Sequence, residues 1–340
     1  MNFSLLVKPA GAECNLACGY CFYKEKARLY RNAPRLRMEE RTLKCLLEQY
    51  HDGNIAFQGG EPTLMGLEFF HKAQEMGRRV NFSLQTNGTM IDGEWAEFLA
   101  ENNWLTGISI DGRKEVHEKY RQGFDRVMAG YRAMQKAGAM VNTLTLVTAA
   151  NIGRAAETYR FLRDEVGSLN QQYIECTTPK EFAIDGEKWG DFLIELFDTW
   201  LNDGDARRVS VRLFDAIVAK MAFGRAEVCQ FARDCRNYLV VEWNGDVYPC
   251  DFNVRKELRL GNIMTDKLED MFASEKFRRF GMQKRGWANE CNGCEYLSFC
   301  NGDCPKNRDP GTNRSILCGG YRRFFAHALP ILHQLLIDTK

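Results

Sequence analysis

Net charge is nearly absent from this sequence: 46 Lys and Arg stand against 45 Asp and Glu, leaving +1 at neutral pH. So close a balance excludes a surface built chiefly for nucleic acid or another polyelectrolyte. Long apolar runs are missing as well. The stretch 324–337 is broken by His327, Pro330, His333 and Gln334, so it does not read as a membrane span. Residues 3–7 form too short a run for the core of a signal peptide, and Lys8 ends it. These absences predict a cytoplasmic protein that binds neither membrane nor nucleic acid. Solenoid repeats and low-complexity segments are also lacking. The five histidines (His51, His71, His117, His327 and His333) have no ligand spacing.

Cysteine, by contrast, is abundant. Thirteen are present, three of them between positions 14 and 21 and eight between 229 and 318, with Cys45 and Cys176 alone. In a reducing compartment cysteines seldom form structural disulfides, so two tight clusters point to metal ligation.

From residue 2 to about 180, β-rich runs alternate with helical periodicity. Strands are expected at 2–7, 54–57, 81–85, 107–110, 142–148 and 172–176, each rich in β-branched or aromatic residues. Helices are expected at 38–50, 67–78, 92–101, 126–137 and 152–164, where apolar residues recur three and four apart. Such alternation implies parallel strands joined by crossovers, in a partial barrel or an open sheet. Either way the chemistry lies at the strands' C-terminal ends. Helices at 189–201 and 211–223 follow. Strands at 238–242 and 246–248 flank the turn signal Asn244-Gly245. Helices are expected at 267–280 and 321–337. The segment 226–320 otherwise has little apolar periodicity and needs metal to fold. The expected domains are therefore 1–225, 226–320 and a terminal helix within 321–340.

The spacing Cys14-x3-Cys18-x2-Cys21 follows the first strand. Three thiolates on one loop can hold three irons of a [4Fe–4S] cube and leave the fourth open to a chelating cofactor. A zinc loop is the competing reading, but zinc wants a fourth protein ligand, and between residues 22 and 50 only Cys45 is offered. Gly59-Gly60-Glu61-Pro62 after the second strand reads by itself as an ordinary turn. The second group, Cys229, Cys235, Cys250, Cys291, Cys294, Cys300, Cys304 and Cys318, has enough thiolates for two further cubes or for two zinc sites. Cys45, on an apolar helix face, and Cys176, in a strand, are expected in the core.

The three-cysteine loop, with Tyr20 before its last cysteine, and the Gly59–Pro62 turn resemble the signature of the radical S-adenosylmethionine (SAM) superfamily. The eight later cysteines resemble a SPASM domain. Nearly the whole chain is similar to anaerobic sulfatase-maturating enzymes, through residues 4–10, 21–23, 57–64, 83–89, 247–252 and 260–263. This resemblance implies an α/β fold, a partial (β/α)6 TIM-type barrel followed by the SPASM domain. It implies SAM and three [4Fe–4S] clusters as cofactors. Cys14, Cys18 and Cys21 would hold the SAM-binding cluster. Cys229, Cys235, Cys250 and Cys304 would hold one auxiliary cluster, and Cys291, Cys294, Cys300 and Cys318 the other. Tyr20, Gly60, Ser109, Arg121 and Thr177 would contact SAM, although Thr177 stands where an apolar residue is expected. Arg121 suits the methionine carboxylate, which a guanidinium grips with paired hydrogen bonds. Gly60, without a Cβ, would let the backbone approach the methionine amino group.

The implied reaction oxidises a cysteine or serine of a sulfatase to Cα-formylglycine. A deoxyadenosyl radical removes a Cβ hydrogen, Asp251 takes the side-chain proton, and the remaining electron leaves through the auxiliary clusters. Tyr23 and Gln58 would line the substrate pocket. The implied partners are an unfolded or nascent sulfatase segment with a Cys/Ser-x-Pro/Ala-x-Arg motif and an electron donor such as flavodoxin or ferredoxin. Two other readings remain open. One is a SPASM peptide maturase that forms thioether or carbon–carbon crosslinks, although a first cysteine at position 14 leaves no room for an N-terminal peptide-recognition domain. The other is an iron–sulfur electron carrier or zinc-stapled interaction protein, against which Gly59–Pro62 and the strand–helix repeats both count.

Overall fold

The computed structural model describes residues 3–31, 33 and 35–337. The chain divides into two units. The first comprises 1–109, 120–142 and 236–281, and the second 110–119, 143–235 and 282–340.

In the first unit, β1 (Ser4–Lys8), β2 (Gly53–Phe57), β3 (Val80–Thr86) and β4 (Leu105–Ser109) run parallel in that order. The expected first strand began at Asn2, which lies outside the described residues. Alternating burial along β3 reflects the period-2 pattern that sequence alone displays. Helices Glu40–Gln49, Leu67–Met76 and Gly93–Glu101 carry the crossovers. The third is started by Asp92, whose carboxylate accepts from the Trp95 N–H at 3.1 Å. Beneath these strands Phe57, Phe82 and Trp104 stack with centroids 4.8–5.8 Å apart, and Phe70 meets them edge-on. Offset and edge-to-face contacts of this kind suit the ring quadrupoles.

The other edge of β1 is covered by a strand distant in sequence. Over 143–235 the chain belongs to the second unit, yet β8 (Tyr238–Glu242) returns to the first and pairs in parallel with β1. Its register sets Lys8 opposite Glu242. β9 (Asp246–Tyr248) pairs antiparallel with β8 across the expected Asn244-Gly245 turn, where Gly245 takes φ +85°, and β10 (Gly261–Asn262) adds a short edge strand not expected from sequence.

The second unit holds β5, most of whose span Val141–Val147 lies here, β6 (Asn170–Glu175) and β7 (Ser210–Val211), again in parallel. Cys176 lies just beyond β6 rather than within it. Its backbone N–H still bonds to the Val147 carbonyl at 3.1 Å. Helices Gly186–Asn202 and Cys318–Ile337 pack with Gly190 against Gly320. A Cβ on Gly190 would lie 2.5 Å from the Gly320 Cα, so only glycine permits this approach.

Two expected helices are cut. Residues 152–164 form an α-helix only over Ala155–Arg160, then a π-helical turn over Phe161–Val166 that ends at Gly167 in the left-handed conformation. Residues 267–280 split into Leu268–Ala273 and Glu275–Met282. Ser274 is extended between them, and its hydroxyl accepts from the Phe277 N–H at 3.2 Å. A serine that can cap a new helix competes with continuing the old one.

Candidate radical SAM site

Lys8 ends β1, and the chain turns directly into the three-cysteine loop. Backbone bonds fold this loop: Gly11 N–H to Lys8 O at 3.0 Å, Glu13 N–H to Ala10 O at 2.9 Å and Cys21 N–H to Cys18 O at 3.3 Å. The turn after β2 lies flat against it. Gly60 N–H donates to Gly11 O at 2.8 Å, and Glu61 N–H donates to Glu13 O at 2.7 Å. A Cβ on Gly60 would come within 1.9 Å of Glu13 O. The glycine is therefore required for contact with the cysteine loop, a reason the sequence did not reveal. Gly60→Ala is expected to displace that loop, to lower the iron bound per chain toward about eight of about twelve as the SAM-binding cube is lost, and to reduce SAM-dependent 5′-deoxyadenosine formation at least tenfold, by analogy with ~1 Å misplacements at reacting centres. Iron assay and chromatography of the anaerobically reconstituted variant check it, and wild-type values for both would refute it.

Of the expected SAM contacts, the structure joins two directly. The Tyr20 hydroxyl accepts from Arg121 Nε at 2.8 Å, and the guanidinium lies 5.5 Å over the ring. Ser109 is buried at the end of β4. Thr177 lies in the second unit, where its hydroxyl donates to Asn307 Oδ1 at 2.6 Å and accepts from Lys306 Nζ at 2.9 Å. Lys306 also pairs with Glu175 at 3.4 Å. An apolar side chain at 177 would leave these buried polar groups short of a partner, which explains the departure from the expected residue type.

Asp251 and Tyr23 meet around a group that sequence reading passed over. Lys8 is 1% exposed. Its Nζ lies 3.8 Å from Asp251 Oδ2 and 4.7 Å from the centre of the Tyr23 ring. Tyr23 donates its hydroxyl hydrogen to Glu242 Oε1. Asp251 Oδ1 also accepts from the Tyr238 hydroxyl at 3.2 Å and the Phe252 N–H at 3.1 Å. Burial lowers the Lys8 pKa, against the opposing pull of Asp251 and Glu242. Burial likewise raises Glu242 to about 7, against the Tyr23 hydrogen bond and the Lys8 charge. One buried ammonium thus faces two carboxylates, and each charge is tolerated only because of the others. Gln58 follows β2, half-buried, with its N–H on Val7 O at 2.9 Å.

Within the second unit Cys291, Cys294, Cys300 and Cys318 line one cavity of about 260 Å³ together with Arg314, Arg322, Leu297 and Phe325. These are the four cysteines grouped by the resemblance. Cys229 and Cys304 lie within electrostatic reach of each other, and burial raises the Cys304 thiol well above its ordinary pKa. The Cys229 carbonyl is held by the buried Lys284 ammonium at 2.9 Å. Cys235 is half-buried in the same unit, and Cys250 follows β9 in the first, its thiol pushed up to about 12 by burial. Among the described residues no three His, Cys, Asp or Glu side chains converge on a single metal-ion position. The cysteine-lined cavity and the buried thiols, costly to ionise without metal, fit clusters. The two remaining cysteines lie apart from these groups in sequence. Cys45 donates to Ile263 O at 3.1 Å, and Cys176 is 1% exposed.

Comparison with known proteins agrees with this geometry. The profile of the Radical SAM superfamily matches residues 10–162, and that of SPASM, an iron–sulfur cluster-binding domain, matches 229–295. The chain is 34% identical to the serine-type anaerobic sulfatase-maturating enzyme of Bacteroides thetaiotaomicron, over 96% of this chain and 90% of that one. It is also 34% identical to the cysteine-type enzyme of Clostridium perfringens, over 99% of both chains. The solved structure of native anSMEcpe with bound AdoMet and Cp18Cys peptide superimposes with a TM-score of 0.90 at 32% identity, covering 99% of each chain. The expected fold class, a partial (β/α)6 barrel with a SPASM domain, is that of these proteins. At this identity over nearly its whole length, the chain belongs to the anaerobic sulfatase-maturating enzymes, radical SAM oxidoreductases that convert a cysteine or serine side chain to Cα-formylglycine.

Proposed function

We propose that Asp251, held by Lys8 and Tyr238, is the base that takes the substrate's thiol or hydroxyl proton during formylglycine formation. The observation that carries this reading is the Lys8–Asp251 pair: the residue that opens the cysteine loop also holds the carboxylate. Cys14, Cys18 and Cys21 hold the SAM-binding cluster, with Tyr20, Gly60, Ser109, Arg121 and Thr177 toward SAM. Cys229, Cys235, Cys250 and Cys304 hold one auxiliary cluster, and Cys291, Cys294, Cys300 and Cys318 the other. When bound, SAM and its cluster supply the radical that removes a hydrogen atom from the substrate Cβ. Arg121, fixed by Tyr20, orients the methionine carboxylate. Tyr23, turned toward Glu242, forms with Gln58 a wall of the substrate pocket. Lys8 keeps Asp251 oriented as an acceptor.

The functional division runs 1–225, 226–320 and 321–340, supported by the two profile matches. Thirteen free cysteines suit a reducing cytoplasm. No helix among the described residues is long and apolar enough to cross a membrane. The substrate is a peptide segment, as in the peptide-bound relative, and carries Cys/Ser-x-Pro/Ala-x-Arg while the sulfatase is unfolded. A flavodoxin or ferredoxin delivers the electron.

The test is incubation of reconstituted enzyme, SAM and dithionite with peptides of about 18 residues, long enough when extended to cross a cleft. One peptide bears Cys-x-Pro-x-Arg and the other Ser-x-Pro-x-Arg. Mass spectrometry should find an aldehyde at the Cys or Ser position of at least one peptide. A thioether or carbon–carbon crosslink instead of an aldehyde would favour a peptide maturase.

A further inference from the structure

We infer that Asn87 is a positioning residue for the SAM-binding cluster, donating an amide N–H to the Cys14 sulfur and thereby favouring the cluster's reduced state. The inference rests on the assignment of Cys14 as an iron ligand.

Asn87 opens the turn after β3 and is 6% exposed. Its backbone N–H donates to Glu61 Oε2 at 2.7 Å. Glu61 is 1% exposed, and its Oε1 accepts from the Thr63 N–H at 3.0 Å, the Thr63 hydroxyl at 2.6 Å and the Thr86 hydroxyl at 2.7 Å. Four donors satisfy this buried carboxylate, which locks the ends of β2 and β3 together. The Asn87 side chain is fixed from its far side. Its Oδ1 accepts from the Thr89 N–H at 3.0 Å and the Thr89 hydroxyl at 2.7 Å. An oxygen that receives a backbone N–H cannot be exchanged for the amide nitrogen, so the amide's orientation is determined by its partners. Nδ2 is thereby turned to the cysteine loop, where it donates to Asn15 Oδ1 at 2.8 Å and reaches Cys14 Sγ at 3.7 Å. Asn15 Nδ2 closes the ring by donating to the Thr89 hydroxyl at 2.9 Å. The Leu16 N–H, at 3.4 Å, is a second donor to the same sulfur.

Hydrogen bonds to cluster sulfurs are one of the levers a protein has on cluster potential. A donor stabilises the more negative, reduced cluster, so removing it makes the cluster harder to reduce. The sequence conceals this role because Asn87 is far from Cys14 along the chain, and only the fold brings the two together.

The test uses the full chain, anaerobically reconstituted, with Asn87→Ala and Asn87→Asp. Each is titrated with dithionite while the spin-resonance signal of the SAM-binding cluster is followed, and the auxiliary clusters serve as internal controls. The aspartate keeps an oxygen for Thr89, lacks the donor and adds negative charge. At a fixed applied potential the ratio of reduced to oxidised SAM-binding cluster should fall about tenfold in Asn87→Ala, or ~59 mV for a one-electron couple. It should fall further in Asn87→Asp, with iron content and the auxiliary signals unchanged. An unmoved potential at full iron content in either variant overturns the inference. Iron loss from both overturns it too, making Asn87 a brace of the loop. A Cys14→Ala control that keeps its full iron would instead sink the ligand assignment.

Discussion

Replacing Cys14, Cys18 and Cys21 together with alanine is expected to leave a folded protein holding about eight irons instead of about twelve, four per cube. The variant forms no 5′-deoxyadenosine from SAM and dithionite. Apart from the Leu16 N–H on Cys14 Sγ, the loop's backbone is closed by its own turns and by Gly60 and Glu61 on Gly11 and Glu13. The cysteine-lined cavity of the second unit is built from separate residues. Removing the three ligands therefore takes away one cluster, and with it the means of cleaving SAM, without unfolding the chain. Iron assay and chromatography of the reaction mixture read both effects. Continued SAM cleavage in the triple variant would overturn the assignment of this loop. Cys45→Ala and Cys176→Ala serve as controls and should keep the full iron content, because one thiol donates to a backbone carbonyl and the other is packed in the core.

Asp251→Asn should separate hydrogen abstraction from product formation. Asparagine keeps the size of the side chain and an oxygen for the Tyr238 hydroxyl and the Phe252 N–H, but it cannot take up the substrate's proton. Formylglycine yield is expected to fall by roughly two orders of magnitude, the scale of a positioned proton acceptor, while 5′-deoxyadenosine continues to form. The substitution also deprives the Lys8 ammonium of its ion-pair partner at 3.8 Å. Glu242, across from Lys8 in the strand register, remains to balance that charge, so the fold should survive. Peptide mass spectrometry, deoxyadenosine yield and iron content are measured on the same preparation. Unchanged formylglycine yield removes Asp251 from the chemistry, and loss of iron assigns it to support of the Cys250 ligand.

Local pattern was enough for much of this protein. Strands at the ends of β1, β2 and β3 are visible because β-branched and aromatic runs are bounded by turn residues, and these strand ends carry the cysteine loop, Gly59–Pro62 and Asn87. The cysteine groupings are visible because ligand spacing is itself a local property, and the four that line the second-unit cavity fall within a short stretch of chain. Helix continuity was less legible. Leu268, Met271, Phe277 and Phe280 keep their buried face on both sides of Ser274, so periodicity passes over the break that a capping hydroxyl imposes.

What sequence by itself determined was the inventory: how the thiols group along the chain, which strands exist and which family the motifs resemble. Tertiary structure decided how the polar residues of the site are held. Lys8 reads as the end of an apolar run and Glu242 as the end of another strand, and only the parallel register of β1 with β8 sets them opposite one another. Glu61 reads as a turn residue, and Asn87 only as part of the family-like stretch 83–89, until the ends of β2 and β3 lie side by side. The reason is physical. Hydrophobic periodicity reports which face of an element is buried, and burial does not specify register between strands far apart in the chain. A buried charge, in contrast, is stable only where register and packing bring its counter-charge within reach.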